Sequence, residues 1–421
     1  MVDQIAGTAI STPPRTVALL GTLDTKGTEY AALAARLQEL GLGTLLIDAG
    51  VLGEPAVTPD VSRAEVAEAA GSRLVDLVAE GDRGNAIATM ARGAVAVVER
   101  LYAEGRLHGI IGLGGTGGST LISAAMRALP LGVPKLLVST VASGDTRPYV
   151  GAADIAMLYS VVDIAGINEV SSTVLGNAAG AIAGMVNAAP LPFEGDRPLV
   201  AATMFGVTTP CVDAARARLE ALGYEVLVFH ATGTGGQSME TLVRSGMIAG
   251  VLDVTTTELA DELVGGVFSA GPSRLTAAGA TGVPQVVSVG ALDMVNFGPR
   301  DTVPERFAER RLHVHNATVT LMRTTAEECA ELGRRLAQRV SAGDAPTIVY
   351  LPLGGVSAID VPGQPFADPE ADRALFDAVR TTLAPAVELR ERDTPINDES
   401  FAVELADALH GLIARDAESQ T

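Results

Sequence analysis

Lysine occurs only twice in this chain, at Lys26 and Lys135, and the first stands in the strand-to-helix turn Thr22-Leu23-Asp24-Thr25-Lys26-Gly27. A lysine in such a turn can set a point charge on a phosphate, and Asp24 can hold a magnesium ion or a ribose hydroxyl. An Asp-Thr helix cap with a solvated lysine accounts for the same residues. A second turn reads Gly112-Leu113-Gly114-Gly115-Thr116-Gly117-Gly118-Ser119-Thr120, after the apolar run Leu107 to Ile111 and before a helix-compatible stretch from Leu121. Its glycines leave no β-carbons in a ligand's way, and the following helix offers unpaired N–H groups and the positive end of its dipole. The guest that suits this is a phosphate or carboxylate, although glycine also serves close helix–sheet packing. The loop has neither the Gly-Lys-Ser/Thr ending of a P-loop nor the glycine spacing of the dinucleotide fingerprint.

Other residues of interest fall at similar places. Asp145, in Ser143-Gly144-Asp145-Thr146-Arg147, fits a metal or substrate ligand and equally a loop carboxylate paired with Arg147. Asp163 and Asn168 lie in the otherwise apolar segment from Tyr159, where a buried carboxylate is expensive without a partner, so function and capping both remain open. In the second half, His230 opens a further glycine loop, Thr232-Gly233-Thr234-Gly235-Gly236, and is placed for proton transfer or for packing. Glu258 and Glu262 are one helical turn apart, as a cation-binding or acid/base pair or as a charged helix face. His313 and His315 alternate along an extended stretch with no third metal ligand nearby. Cys211 follows a proline at a helix start, a position that lowers a thiol's pKa, but no base stands beside it.

The elements that must carry these turns alternate. Strands at 15–21, 44–48, 107–111 and 135–139 are separated by helices, the first stopped by Gly41 and another covering 85–104. The pattern breaks at the proline-rich segment 191–198, after which a strand at 199–206, a helix at 214–222 stopped by Gly223, and strands at 225–229 and 347–353 repeat it. Residues 15–190 and 199–421 are therefore expected as two α/β domains, with 1–14 a flexible tail. Each is predicted to be a doubly wound, mostly parallel sheet whose loops lie beyond the carboxyl ends of the strands, the two facing an interdomain cleft. With 48% hydrophobic residues, 4% aromatic and no tryptophan, Ala, Val and Leu must fill the interiors, as suits such sheets.

A net charge of −20 opposes nucleic acid and membrane surfaces as partners. The one basic cluster, Arg306 to Arg311, fits a solvated face or a subunit contact. Two distant cysteines make neither a disulfide framework nor a four-ligand zinc site, and no stretch reaches the roughly 18 apolar residues of a membrane span. A cytoplasmic protein is expected, the start Met1-Val2-Asp3-Gln4 lacking the features of a signal peptide.

Several of these segments, in order, resemble the Tm-one-like family: Gly21 to Gly27, Gly112 to Ser119, Tyr159 to Asn168, Met204 to Cys211, His230 to Gly236, Thr255 to Glu262, Ser269 to Leu275 and Gly290 to Phe297. That family comprises the ATP-binding N-terminal domain of the tomato protein that confers tobamovirus resistance, and bacterial relatives. The resemblance implies a two-domain α/β protein that binds ATP, with Mg²⁺, and forms a homodimer. It carries phosphate binding onto Thr22, Asp24, Thr25 and Lys26 and onto Gly114, Gly115, Thr116, Gly117, Gly118, Ser119 and Thr120, with Ser143 and Gly144 added from the loop after the next strand. Asp24 and Asp145 are the metal candidates, and Asp163, His230 and Glu258 the catalytic ones. The alternatives to an ATP-binding protein are an ATP-dependent kinase, ligase or hydrolase acting on a small acidic substrate, and a regulator that inhibits a partner through its dimer surface. Longer relatives add a barrel-like C-terminal domain, so a separate barrel protein is a possible partner.

Overall fold

The computed structural model describes residues 14–189, 191–192 and 195–419. The expected tail thus lies, apart from Pro14, outside the described residues, as do positions 193 and 194 of the proline-rich segment. The chain divides into two compact units, residues 1–192 and 193–421.

The first unit runs β1 (Thr16–Gly21), α1 (Leu23–Glu39), β2 (Gly43–Asp48), α2 (Arg63–Ala69), α3 (Leu74–Glu80), α4 (Arg83–Ala103), β3 (Gly109–Gly114), α5 (Thr116–Ala128), β4 (Lys135–Ser139), α6 (Arg147–Val150), β5 (Ala156–Tyr159) and α7 (Glu169–Asn187). Its five strands are all parallel, in the order β2-β1-β3-β4-β5. Strand alternation assigns the faces. Val17, Leu19, Ile111 and Leu113 pack with Tyr30, Leu33 and Leu37 of α1 and with the apolar stripe of α7. Ala18, Leu20, Ile110 and Leu137 pack on the other side against α4 and α5. Helices on both faces explain why β3 is buried at every position and reads as an apolar and glycine run with no alternation. Gly41, with φ +82°, ends α1 in the left-handed conformation that a side chain resists.

The second unit runs β6 (Leu199–Met204), α8 (Thr209–Ala221), β7 (Glu225–His230), α9 (Thr234–Arg244), β8 (Gly250–Thr255), α10 (Glu258–Val264), α11 (Ala277–Thr281), β9 (Gln285–Gly290), β10 (Met294–Phe297), β11 (Leu312–Asn316), β12 (Val319–Arg323), α12 (Ala326–Val340), β13 (Thr347–Pro352), α13 (Pro369–Thr382), β14 (Glu388–Arg392) and α14 (Glu399–Ser419). Six parallel strands in the order β14-β13-β9-β8-β6-β7 form its main sheet, with α8 and α14 on one face and α9 to α13 on the other. Both units are thus doubly wound α/β folds, as the strand and helix alternation predicts. The alternation does not foresee the small antiparallel sheet β10-β12-β11, which takes up the extended stretch of His313 and His315.

The second unit also buries charge. Arg274 is 1% exposed and is ringed by Asp253, Glu258 and Glu240. Arg323, 3% exposed, bridges Asp360 and Asp372. Burial pushes the carboxyls of Asp293 up to about 6, Asp261 to about 7 and Asp360 to about 9. In the unfolded chain each titrates near 4, so between these values the folded form holds protons that the unfolded form has released. This contribution is complete below about pH 4 and is lost as pH rises through the folded values. The second unit should therefore melt at a lower temperature at pH 9 than at pH 6; scanning calorimetry showing a rise across that window would contradict it.

Candidate functional site

In the first unit the chain leaves β1 toward one face and β3 toward the other, so α1 and α5 start on opposite sides of the sheet and a crevice opens between them. Ligands of open α/β sheets bind at such a switch point, beyond the carboxyl ends of the strands. The expected turns are shorter than the sequence suggests: Thr22 caps α1, whose first turn carries Asp24, Thr25 and Lys26, directly after β1, and Gly115 caps α5 directly after β3. Tyr30 of α1 fixes the two strand ends from beneath. Its hydroxyl donates to Leu20 O and accepts from Leu113 N at 2.7 Å, bridging β1 and β3 beside the position of Gly21.

A pocket of about 380 Å³ occupies this crevice. Its polar lining is Thr22, Asp24, Thr25 and Lys26 with Gly115, Thr116, Gly117 and Gly118, joined by Arg83 and Asp163. Its apolar lining includes Ala86, Ile87 and Met90 of α4 and Leu121. Lys26 has non-helical backbone angles within α1, and its ammonium donates to Ile164 O, leaving two of its three donors free. Arg83 has no ion-pair partner among the described residues, and its Nη2 lies 3.9 Å from where a β-carbon on Gly117 would stand. Gly115 caps α5 with no side chain, so the first N–H groups of that helix look to the pocket or to solvent. Asp24 Oδ2 accepts from Leu52 N at 2.8 Å and Gly53 N at 3.2 Å, while its Oδ1 is buried without a partner.

The two glycine loops are glycine-rich for different reasons. In the second unit, a β-carbon on Gly235 would stand 1.8 Å from His230 O and one on Gly236 2.1 Å from Glu258 Oε2, and Gly233 has φ +87°. That loop is filled by the chain itself: Glu258 accepts from Gly233 N at 2.7 Å and Gly236 N at 3.1 Å. In the first unit Gly114 is similarly demanded, because a β-carbon there would meet Ser119 N at 2.8 Å. Gly115, Gly117 and Gly118 are not. None has a positive φ, and a β-carbon on them would meet nothing closer than Thr140 Oγ1 at 3.7 Å, the Ile87 side-chain tip at 3.1 Å and Leu113 O at 3.8 Å, respectively. Neither backbone nor packing asks for glycine at Gly115 and Gly118, while a side chain at Gly117 would need the Ile87 tip to give slightly.

The remaining residues singled out in the sequence go elsewhere. Ser119 is buried and shares a 2.6 Å hydrogen bond with Ser139; Thr120 Oγ1 donates to Thr116 O; Ser143 and Gly144 sit in the turn after β4, outside the pocket lining. Asp145 is exposed and grips Arg147 with both oxygens at 2.8 Å, which holds its carboxyl down to about 2. That is the paired reading of this residue and leaves Asp24 as the metal candidate. Asp163 lines the pocket but is exposed, as are Val161 and Val162 beside it, so the expectation of a buried carboxylate is corrected: of this apolar stretch Ile164 enters the core and the valines do not. Asn168 caps α7 in a reciprocal box with Ser171. In the second unit His230 is exposed at the end of the edge strand β7. Glu258 and Glu262 share no partner, the first bonded to Arg274 and the second to Arg335 and Arg339. Among the described residues no group of three His, Cys, Asp or Glu could hold a metal, which leaves His313 and His315 without a third ligand. Burial raises the Cys211 thiol to about 12 and Cys329 to about 11, so the helix-start position of Cys211 does not activate it. Arg310 pairs with Glu328 and packs on Phe307, in a largely buried ion pair rather than on a fully solvated face. Arg83 and the α4 wall are pocket residues that the turn motifs did not reveal, since α4 precedes β3 and carries no glycine signature.

Comparison with known proteins gives two family matches: "Uncharacterised protein family (UPF0261) N-terminal domain" over residues 15–190, and the C-terminal domain of the same family over residues 197–413. A UPF0261 protein of Clostridium tetani is 52% identical over 400 residues, 95% of this chain and 99% of its own. Two proteins of Solanum lycopersicum also match. The ToMV susceptible protein tm-1 is 42% identical over 95% of this chain and 56% of its own length. The ToMV resistance protein Tm-1 is 47% identical over 77% of this chain and 44% of its own. No helix among the described residues is long and apolar enough to cross a membrane.

Proposed function

The chain belongs to the UPF0261 family, to which the tomato Tm-1 proteins are also similar, and on that premise we propose that its first unit binds a nucleoside triphosphate, ATP in particular, in the pocket between α1 and α5. One observation carries this: Gly115, Gly117 and Gly118 line the pocket at a helix start, and nothing in the chain itself requires Gly115 and Gly118 to be glycine. Absent side chains let phosphate oxygens reach the first N–H groups of α5, where the helix dipole adds to the attraction. Lys26 and Arg83 supply two cations to the same pocket, and the side chains of Ala86, Ile87, Met90 and Leu121 in its lining offer apolar contact to a base. The donor set fits magnesium as well, because Asp24 stands among these groups with one carboxylate oxygen unbonded. The metal, when bound, neutralises phosphate charge. Asp24 would hold it, while Lys26 and the α5 amides orient the phosphates.

The test follows from the glycine argument. Gly118 is the third residue of α5, so Gly118→Ala removes backbone freedom from a helix and should leave thermal stability equal or slightly higher. The added methyl narrows the approach to the amides, and calorimetric titration with MgATP should show affinity lower by about tenfold, equivalent to about 1.4 kcal/mol. A stable variant that binds MgATP as tightly as the wild type would remove the phosphates from this loop.

A further inference from the structure

Two buried carboxylate oxygens near the ends of β1 and β2 have no hydrogen-bond partner, Asp24 Oδ1 and Asp48 Oδ2. Each carboxylate is fixed in the same manner, by two backbone N–H groups on its other oxygen. Asp48 Oδ1 accepts from Leu23 N at 3.1 Å and Gly50 N at 2.9 Å, as Asp24 Oδ2 does from Leu52 and Gly53. Asp48 is wholly buried. Gly50 separates the two acids: its N–H is on Asp48, and a β-carbon on it would stand 2.5 Å from Asp24 Oδ1. The nearby cation, Arg63, bonds Gly53 O and Glu54 Oε1 and neither free oxygen.

An unmet buried carboxylate oxygen is costly, and native proteins meet such atoms with water or an ion. Two carboxylates flanking one glycine, each with an unmet oxygen and one on a wholly buried side chain, ask for positive charge. We propose that Asp24 and Asp48 together hold a divalent cation. With oxygen donors alone the fitting ion is a hard one, Mg²⁺ or Mn²⁺. Asp24 also lines the nucleotide pocket, so the proposal deepens the reading of that site, but the pair of acids is formed by the chain alone and its occupancy does not require nucleotide.

The experiment is a Mn²⁺ titration of the full-length protein without nucleotide, the free ion being followed by electron paramagnetic resonance. One Mn²⁺ per chain is expected, bound at least tenfold more weakly by Asp48→Asn and by Asp24→Asn. Asparagine keeps an oxygen for the backbone N–H groups, so both variants should fold; if Asp48→Asn does not, the wild type and Asp24→Asn still decide. Wild-type protein that binds no Mn²⁺, or variants that bind it as the wild type does, would overturn the proposal. A parallel titration with ATP separates the two ideas: nucleotide bound without Mn²⁺ on these acids defeats only the cation site. Mn²⁺ lost on both substitutions, with no affinity for ATP, defeats only the nucleotide reading.

Discussion

Replacing Arg274 by methionine should cost the second unit about 3–5 kcal/mol of unfolding free energy at pH 7, the range for removing one partner of a buried ion pair. Methionine roughly replaces the volume but strands three carboxylates. Asp253 loses two hydrogen bonds from the guanidinium, Glu258 loses Nε at 2.6 Å, and Glu240 loses a charge 3.5 Å away. Each keeps other donors: Thr203 on Asp253, Gly233 and Gly236 on Glu258, and the amides of Leu275, Thr276 and Ala277 on Glu240. The damage is therefore uncompensated charge more than lost hydrogen bonding. It should shrink as pH falls, because burial already raises the Glu258 carboxyl and, once Arg274 is gone, Glu258 can take up a proton, whereas a packing defect would persist. Urea unfolding followed by amide exchange in β8 and β9 isolates this unit. A deficit under about 1 kcal/mol at pH 7 would mean that these ion pairs contribute little net stability.

Nucleotide affinity should fall about a hundredfold or more in the double variant Lys26→Ala, Arg83→Ala. Hydrogen bonds to charged groups contribute about 1.5–3 kcal/mol each, and two at the lower bound already give that factor. The chain itself barely uses these cations, Lys26 having one carbonyl partner and Arg83 no ion-pair partner among the described residues. Melting temperature should accordingly stay close to that of the wild type, and the salt dependence of MgATP binding should flatten with the charge removed. Unchanged affinity in a folded double variant would mean that the phosphates lie elsewhere.

Much of this architecture was legible in the chain because parallel strands buried on both faces have to be written as apolar runs, and their helices end on glycines such as Gly41 and Gly223 that adopt positive φ. The turn after β1 and the turn after β3 could be singled out separately. That they meet followed only from the strand order, which places β1 beside β3. What stayed hidden was partnership over long sequence distance. The spacing of Glu258 and Glu262 gives a shared helix face but says nothing of Arg274, 16 residues beyond Glu258, or of Arg335. The glycines at 233–236 and 115–118 look alike as text, and only the atoms that a β-carbon would meet separate a loop packed by its own chain from one left open. Asp163 misled because its valine neighbours suggested a core that the fold keeps at the surface.

The strut formed by Tyr30 makes two distant letters of the sequence a single inheritable unit. A β-carbon at position 21 would stand 2.0 Å from the Tyr30 hydroxyl, the same hydroxyl that joins β1 to β3. Neither residue can change first without cost: a side chain at 21 displaces the ring, and a smaller residue at 30 leaves Leu113 N without its acceptor. Descendants of this chain are thus confined to keeping both or exchanging both at once, and drift at either position is held back by the other.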